Sequence, residues 1–151
     1  MTNTAVRSKS KTLSTWLALL GGSVGLHRFY LHGLRDVWGW LHSVPTLVGL
    51  YGVQRALAFG QDDTVSWALI PLLGFMLAAS MLSAIRYGLT SDDKWNVRFN
   101  PGCPDADSGW LAIIGVLLAL FIGTAVLMAT IAFSGQRFFE YQLEVARTVK
   151  P

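Results

Sequence analysis

Two apolar stretches, residues 12–26 and 37–53, would fuse into one long hydrophobic run but for the segment Gly25-Leu26-His27-Arg28-Phe29-Tyr30-Leu31 at their junction. An arginine at the centre of a bilayer costs roughly 2.5–3.5 kcal/mol on insertion scales. The chain is therefore expected to surface at Arg28. That divides the region into two short spans joined by a tight aromatic and basic turn.

Composition sets the solvent. The chain has 151 residues, 52% hydrophobic and 14% charged. A soluble domain carries about 25% charged residues, so this one has too few to cover a globular surface. The formal charge of +3 comes with basic residues at both termini (Arg7, Lys9 and Lys11; Arg137, Arg147 and Lys150). That placement suits anionic headgroups beside helix ends. No basic stripe interleaved with aromatics points to nucleic acid. The single cysteine, Cys103, closes no disulfide within the chain and belongs to no CxxC or Cys/His metal spacing.

The clearest span is residues 110–133, uncharged throughout and ~36 Å long as a helix, enough for a hydrocarbon core of about 30 Å. Residues 65–85 form a second, with Pro71 inside it. Residues 37–53 contain His42 and Pro45 and extend to Leu57 if Arg55 snorkels. Residues 12–26 are the shortest, ~22 Å as a helix, and need local thinning of the bilayer or upward reach by Lys9 and Lys11. That first segment also has the basic and apolar layout of a signal peptide. Its cleavage site would fall at Ser23-Val24-Gly25, a poor small-x-small match, so we expect it to be retained as a span. Trp16, Trp38, Trp40, Trp67 and Trp110 lie near segment starts, as in an aromatic belt.

These spans give an all-α, multi-pass integral membrane protein with four transmembrane helices arranged as two hairpins and a C-terminal amphipathic helical tail. The divisions are a basic tail (1–11), a transmembrane hairpin (12–63), a second hairpin (64–133) with a polar loop at 86–109, and the tail (134–151). In the tail, Phe138, Tyr141, Val145 and Val149 share one face, and Glu144 is spaced to pair with Arg147. Four spans put both termini on one side. Termini plus loop 54–64 carry seven Lys and Arg, against five in the other two connections, so the positive-inside rule makes the termini cytoplasmic.

The constellations that could carry chemistry are sparse. Gly21 and Gly25 form a GxxxG; Gly115, Ala119 and Gly123 repeat small-xxx-small, and Gly74 and Ala78 do the same. Such faces let helix backbones approach closely, within one bundle or between copies. His27, His32 and His42 lack ligand spacing and neighbouring carboxylates for a metal, and the spans hold no carboxylate for a proton relay with His42. Asp92, Asp93, Asp105 and Asp107 do not follow the EF-hand pattern and read as a solvated loop. No nucleophile elbow, zinc-protease motif or P-loop is present. No enzyme activity and no cofactor or metal is expected.

Lys9-x-Lys11, an apolar run, Gly22-x-x-Gly25-Leu26-His27-Arg28-Phe29-Tyr30-Leu31, Gly33 and a second apolar run together resemble the TM2 domain, in particular the small bacterial TM2-domain membrane proteins, over about residues 9–63. In that family two short transmembrane helices flank a G-x-H-R-F-Y-L-G turn. Here His32 intervenes before Gly33, and Asp62 or Asp63 corresponds loosely to an aspartate that closes the second helix. The resemblance implies an integral protein of the bacterial cytoplasmic (inner) membrane and supplies no catalytic residues.

The expected function is a scaffold or accessory subunit whose contact surface is His27, Arg28, Phe29 and Tyr30. Arg28 would bind a lipid phosphate or a carbonyl cluster, with the aromatics anchored at the interface. Membrane lipids, a second copy of the chain or another membrane protein are the expected partners. The alternative is a small oligomeric transporter or channel, with polar residues around His42 and Gln54 lining a shared path.

Overall fold

Helix caps and glycines divide the chain much as its polarity suggests. The computed structural model describes residues 8–103 and 107–149, so Arg7, Asp105 and Lys150 lie outside the described residues. The helices are α1 (Lys11–Gly21), a 3-10 turn (Gly22–Val24), α2 (Leu26–His32), α3 (Val37–Phe59), α4 (Thr64–Leu89), α5 (Asp92–Phe99) and α6 (Leu111–Val149), and no strand occurs among the described residues. The Ser10 hydroxyl accepts from the Leu13 N–H at 3.3 Å to open α1. Asp63 does the same for α4, accepting from the Ser66 N–H at 3.1 Å. Each cap satisfies an N–H that the first turn leaves free.

α4 and α6 are long and apolar enough to cross a membrane, and only 17% and 22% of their most apolar windows are buried within the molecule. A soluble core helix hides its apolar side chains. These two present them outward: Leu82 is 59% exposed and Phe121 78%. α3 has 23 residues and ~34 Å of length, but its histidine, glutamine and glycines make it less apolar. α3, α4 and α6 run antiparallel in succession. α4 and α6 meet along small residues: Gly74 packs against Thr130 and Gly123 against Met81. The core is compact and built from Ala18, Leu19, Met81, Ala84 and Ala119.

The first segment departs from expectation. It does not run from one end of the bundle to the other. α1 has 11 residues, ~16 Å, and after the 3-10 turn the chain comes back as α2 to the end where it entered. Both legs are tied there: the Ser10 N–H donates to the Tyr30 hydroxyl at 3.0 Å, and the Lys9 ammonium donates to the Leu31 carbonyl. The tip is held deep in the bundle. The Ser43 hydroxyl donates to the Val24 carbonyl at 3.0 Å and the Thr46 hydroxyl to the Ser23 carbonyl at 2.7 Å. Irregular backbone away from water requires such partners. Gly25 makes the reversal possible, because a Cβ there would lie 2.3 Å from the Gly39 carbonyl oxygen.

The end carrying residues 8–11 is the near end. The far end carries the α3–α4 turn and the last turns of α6. The segment expected as a loop at 86–109 contains α5, which lies across the near end. Trp95 is 2% exposed, and its indole N–H donates to the Lys9 carbonyl at 2.8 Å. The Asn100 side chain bonds both the N–H and the carbonyl of Lys9. Lys11 is 8% exposed and reaches Asp92 at 2.6 Å and the Thr90 carbonyl at 2.8 Å.

α6 is one continuous helix of 39 residues, ~58 Å, so the tail extends the last apolar segment beyond the bundle. Its ion pair is Arg137–Glu140 at 2.6 Å. The pairing expected between Glu144 and Arg147 is not formed among the described residues.

Candidate functional site

The turn between α2 and α3 is built around one ion pair. Arg28 grips Asp36 with two hydrogen bonds, Nε to Oδ2 at 2.6 Å and Nη2 to Oδ1 at 3.3 Å. Two-point pairing of this kind is the strong form of the arginine–carboxylate contact. The Arg28 guanidinium holds the Asp36 carboxyl below the ordinary carboxylate range. Phe29 fills the space left by Gly39, where a Cβ would lie 2.4 Å from the ring, and meets Trp40 at 5.1 Å between centroids. Tyr30 is the near-end tie to Ser10. His27 is 1% exposed and lies between His42 and Tyr87, at 5.5 and 5.6 Å between ring centroids. Its Nδ1 has no hydrogen-bond partner among the described residues. All four residues thus help to build the turn; His27 is buried, while Arg28, Phe29 and Tyr30 are partly exposed.

The small-residue positions serve packing within the chain. Gly21 faces Leu26 of the returning leg, Gly115 faces Thr15, and Gly123 faces Met81, while Ala119 is fully buried in the core. His42 uses its Nδ1 on the Trp38 carbonyl at 2.6 Å. Gln54 is exposed, three turns further along α3, and does not line the cleft that His42 lines.

At the far end the same turn occurs again. Arg55 grips Asp63 with Nε to Oδ2 at 2.9 Å and Nη2 to Oδ1 at 2.8 Å. In both pairs the arginine side chain is 25% exposed and the aspartate 11%. Gly33 (φ 84°) and Gly60 (φ 90°) end the preceding helices in a backbone region that L side chains rarely enter. The Trp40 indole N–H donates to the Leu34 carbonyl at 3.0 Å, and that of Trp67 to the Gln61 carbonyl at 2.6 Å. Hydrogen bonds from Arg55 bring the Asp63 carboxyl down to about 2. The sequence signal was available: Gly-x2-Gly-x2-Arg-x4-Gly-x2-Asp-x3-Trp fits Gly22, Gly25, Arg28, Gly33, Asp36 and Trp40, and again Gly49, Gly52, Arg55, Gly60, Asp63 and Trp67.

Beside the first turn, between α2, α3, α4 and α5, lies a polar cleft of about 150 Å³. Arg28, Arg86, Arg98, His27, His32 and His42 all line it, together with Tyr87 and Thr90. Burial, then the charge of Arg28, lowers the pKa of His32. Arg86 and Arg98 make no ion pair among the described residues. Sequence reasoning placed both in a solvated loop, because their convergence depends on α5 folding back over the near end. Among the described residues no group of three His, Cys, Asp or Glu could hold a metal.

Compared with known proteins, the chain matches no family model, no curated protein and no solved structure.

Proposed function

We propose that this chain is a non-enzymatic integral membrane protein, a scaffold or accessory subunit, with α3, α4 and the apolar part of α6 crossing the bilayer and α1–α2 entering as a re-entrant hairpin. The carrying observation is the outward-facing apolar surface of α4 and α6, of which so little is buried inside the molecule. Lipid is the solvent that removes the cost of exposing that surface. A three-crossing arrangement puts the termini on opposite sides, in place of the shared side that four spans would give. The near end holds Lys9, Lys11, Arg28, Arg35, Arg86, Lys94 and Arg98, and the far end Arg55, Arg137 and Arg147. By the positive-inside rule the near end, with α5, is cytoplasmic and the C-terminal tail lies across the membrane. The likeness to the TM2 domain supports a bacterial cytoplasmic membrane setting. The test is alkaline carbonate extraction with flotation on a density gradient. The protein should stay with the lipid; release into the soluble fraction would overturn the reading.

A further inference from the structure

The near-end cleft carries positive charge that the fold does not neutralise. Three guanidiniums border it, and the carboxylate of the α2–α3 turn, Asp36, is already engaged with Arg28. The other nearby acid that is paired, Asp92, is held by Lys11 and by the Ser108 hydroxyl at 2.7 Å. Arg86 and Arg98 are exposed at the rim and come from different helices, so nothing in a single helix's amphipathic pattern explains their meeting. Arg98 lies over the Phe99 ring at 5.3 Å, which orients its guanidinium without supplying a counter-charge. Tyr87 offers a hydroxyl with no hydrogen-bond partner among the described residues. Like charges held together in a fold repel, and a walled cleft concentrates their field on whatever enters. The cleft has a volume of about 150 Å³. That is room for one small anionic group.

We propose that this cleft is an oxyanion site that takes a phosphate group, with Arg86 and Arg98 as its principal donors and the Tyr87 hydroxyl beside them. Guanidinium forks match phosphate oxygens two at a time, and their rim placement leaves the anion reachable from the aqueous phase or from the headgroup layer. The same chemistry is presented by free phosphate and by the headgroup of an anionic lipid such as phosphatidate. Arg28 has a structural role here, fixing the turn that forms one wall.

The test uses the full chain in a neutral maltoside detergent, following tryptophan fluorescence, since Trp95 also lines the cleft. In one arm sodium phosphate is titrated at constant ionic strength against sodium chloride. In the other, the protein is placed in phosphatidylcholine nanodiscs with and without phosphatidate. Saturable binding in either arm supports the site, and the arm that responds names the source. Arg86→Gln and Arg98→Gln should each weaken binding about tenfold, whereas Arg35→Gln, an exposed near-end arginine outside the cleft, should leave it unchanged. No saturable response in either arm would overturn the proposal, as would equal losses from Arg35→Gln. The detergent arm needs no bilayer. A chain that binds phosphate yet is released by carbonate would refute the membrane reading alone, and one that stays in the membrane but ignores both ligands would refute this site alone.

Discussion

Thr46→Val removes the hydroxyl that holds the tip between α1 and α2 and changes little else. Thr46 is 3% exposed, and valine keeps the branched shape. The lost contacts are the 2.7 Å bond to the Ser23 carbonyl and the longer, 3.0 Å one from the same hydroxyl to the His42 carbonyl within α3. In water-soluble proteins, stranding a buried acceptor costs about 1–3 kcal/mol; between membrane helices, double-mutant cycles average about 0.6 and reach about 1.7. The tip carbonyl lies in a 3-10 turn, where no helical ladder is at hand to take over, so we expect the upper part of the membrane range, about 1–1.7 kcal/mol. That is a factor of about 5–20 in the folding equilibrium. The assay is reversible unfolding in mixed micelles with increasing denaturing detergent, followed by tryptophan fluorescence. Thr124→Val, the same change at an exposed site on α6, is the control and should stay within about 0.5 kcal/mol of the parent. Adding Ser43→Ala should lower stability further, with the two losses coupled because both side chains hold one turn. The reasoning is refuted if Thr46→Val is as stable as the parent, or if Thr124→Val loses as much.

Three further outcomes can be measured with the same preparation. Gly25→Ala should be strongly destabilising, since it combines φ 80° with a Cβ placed 2.3 Å from the Gly39 carbonyl oxygen, whereas Gly33→Ala meets open space and should lose only the ~1–3 kcal/mol of a side chain held in a backbone region that glycine alone enters readily. The Asp63 carboxyl, lowered from 3.8 to about 2, is ionised when folded at pH values where the unfolded chain takes up the proton, so its stabilising contribution is complete above pH ~4 and lost as pH falls toward 2; thermal melts across that window should show the fall, and Asp63→Asn should flatten it. Trp95→Ala, at a 2%-exposed site, should cost about 3–5 kcal/mol and free α5, seen as faster proteolysis between residues 90 and 110.

The two long apolar helices were legible because their signal is local. Uncharged runs at 65–85 and 110–133 became α4 and α6, and Trp38, Trp67 and Trp110 stand at or beside helix starts as the aromatic pattern suggested. The folding back of α2 beside α1 was not legible for a physical reason. An apolar run followed by Arg28 reads the same whether the chain has crossed or has turned back. What decides it is Ser43 and Thr46 reaching Val24 and Ser23, contacts far apart along the chain. α5 was hidden by the polarity of Asp92, Asp93 and Lys94, although Trp95 and Phe99 at i and i+4 mark an apolar face and stack at 4.4 Å. Arg28 stood out in the sequence as an interruption, but its partner Asp36 lies outside the run that drew attention to it. The basic cleft has no linear signature, since Arg86 and Arg98 line the same cleft only because α5 folds back.

The most direct test is the sidedness of residue 8 relative to residue 93. Ser8→Cys and Asp93→Cys, each in a Cys103→Ser background, would be labelled with a membrane-impermeant maleimide in sealed vesicles of known orientation. Ser8 and Asp93 are both exposed. A re-entrant α1–α2 hairpin with three crossings puts both on the same face, with Glu144→Cys on the tail labelled from the other. Labelling of residues 8 and 93 from opposite faces would mean that the first segment crosses the membrane, and would contradict the hairpin.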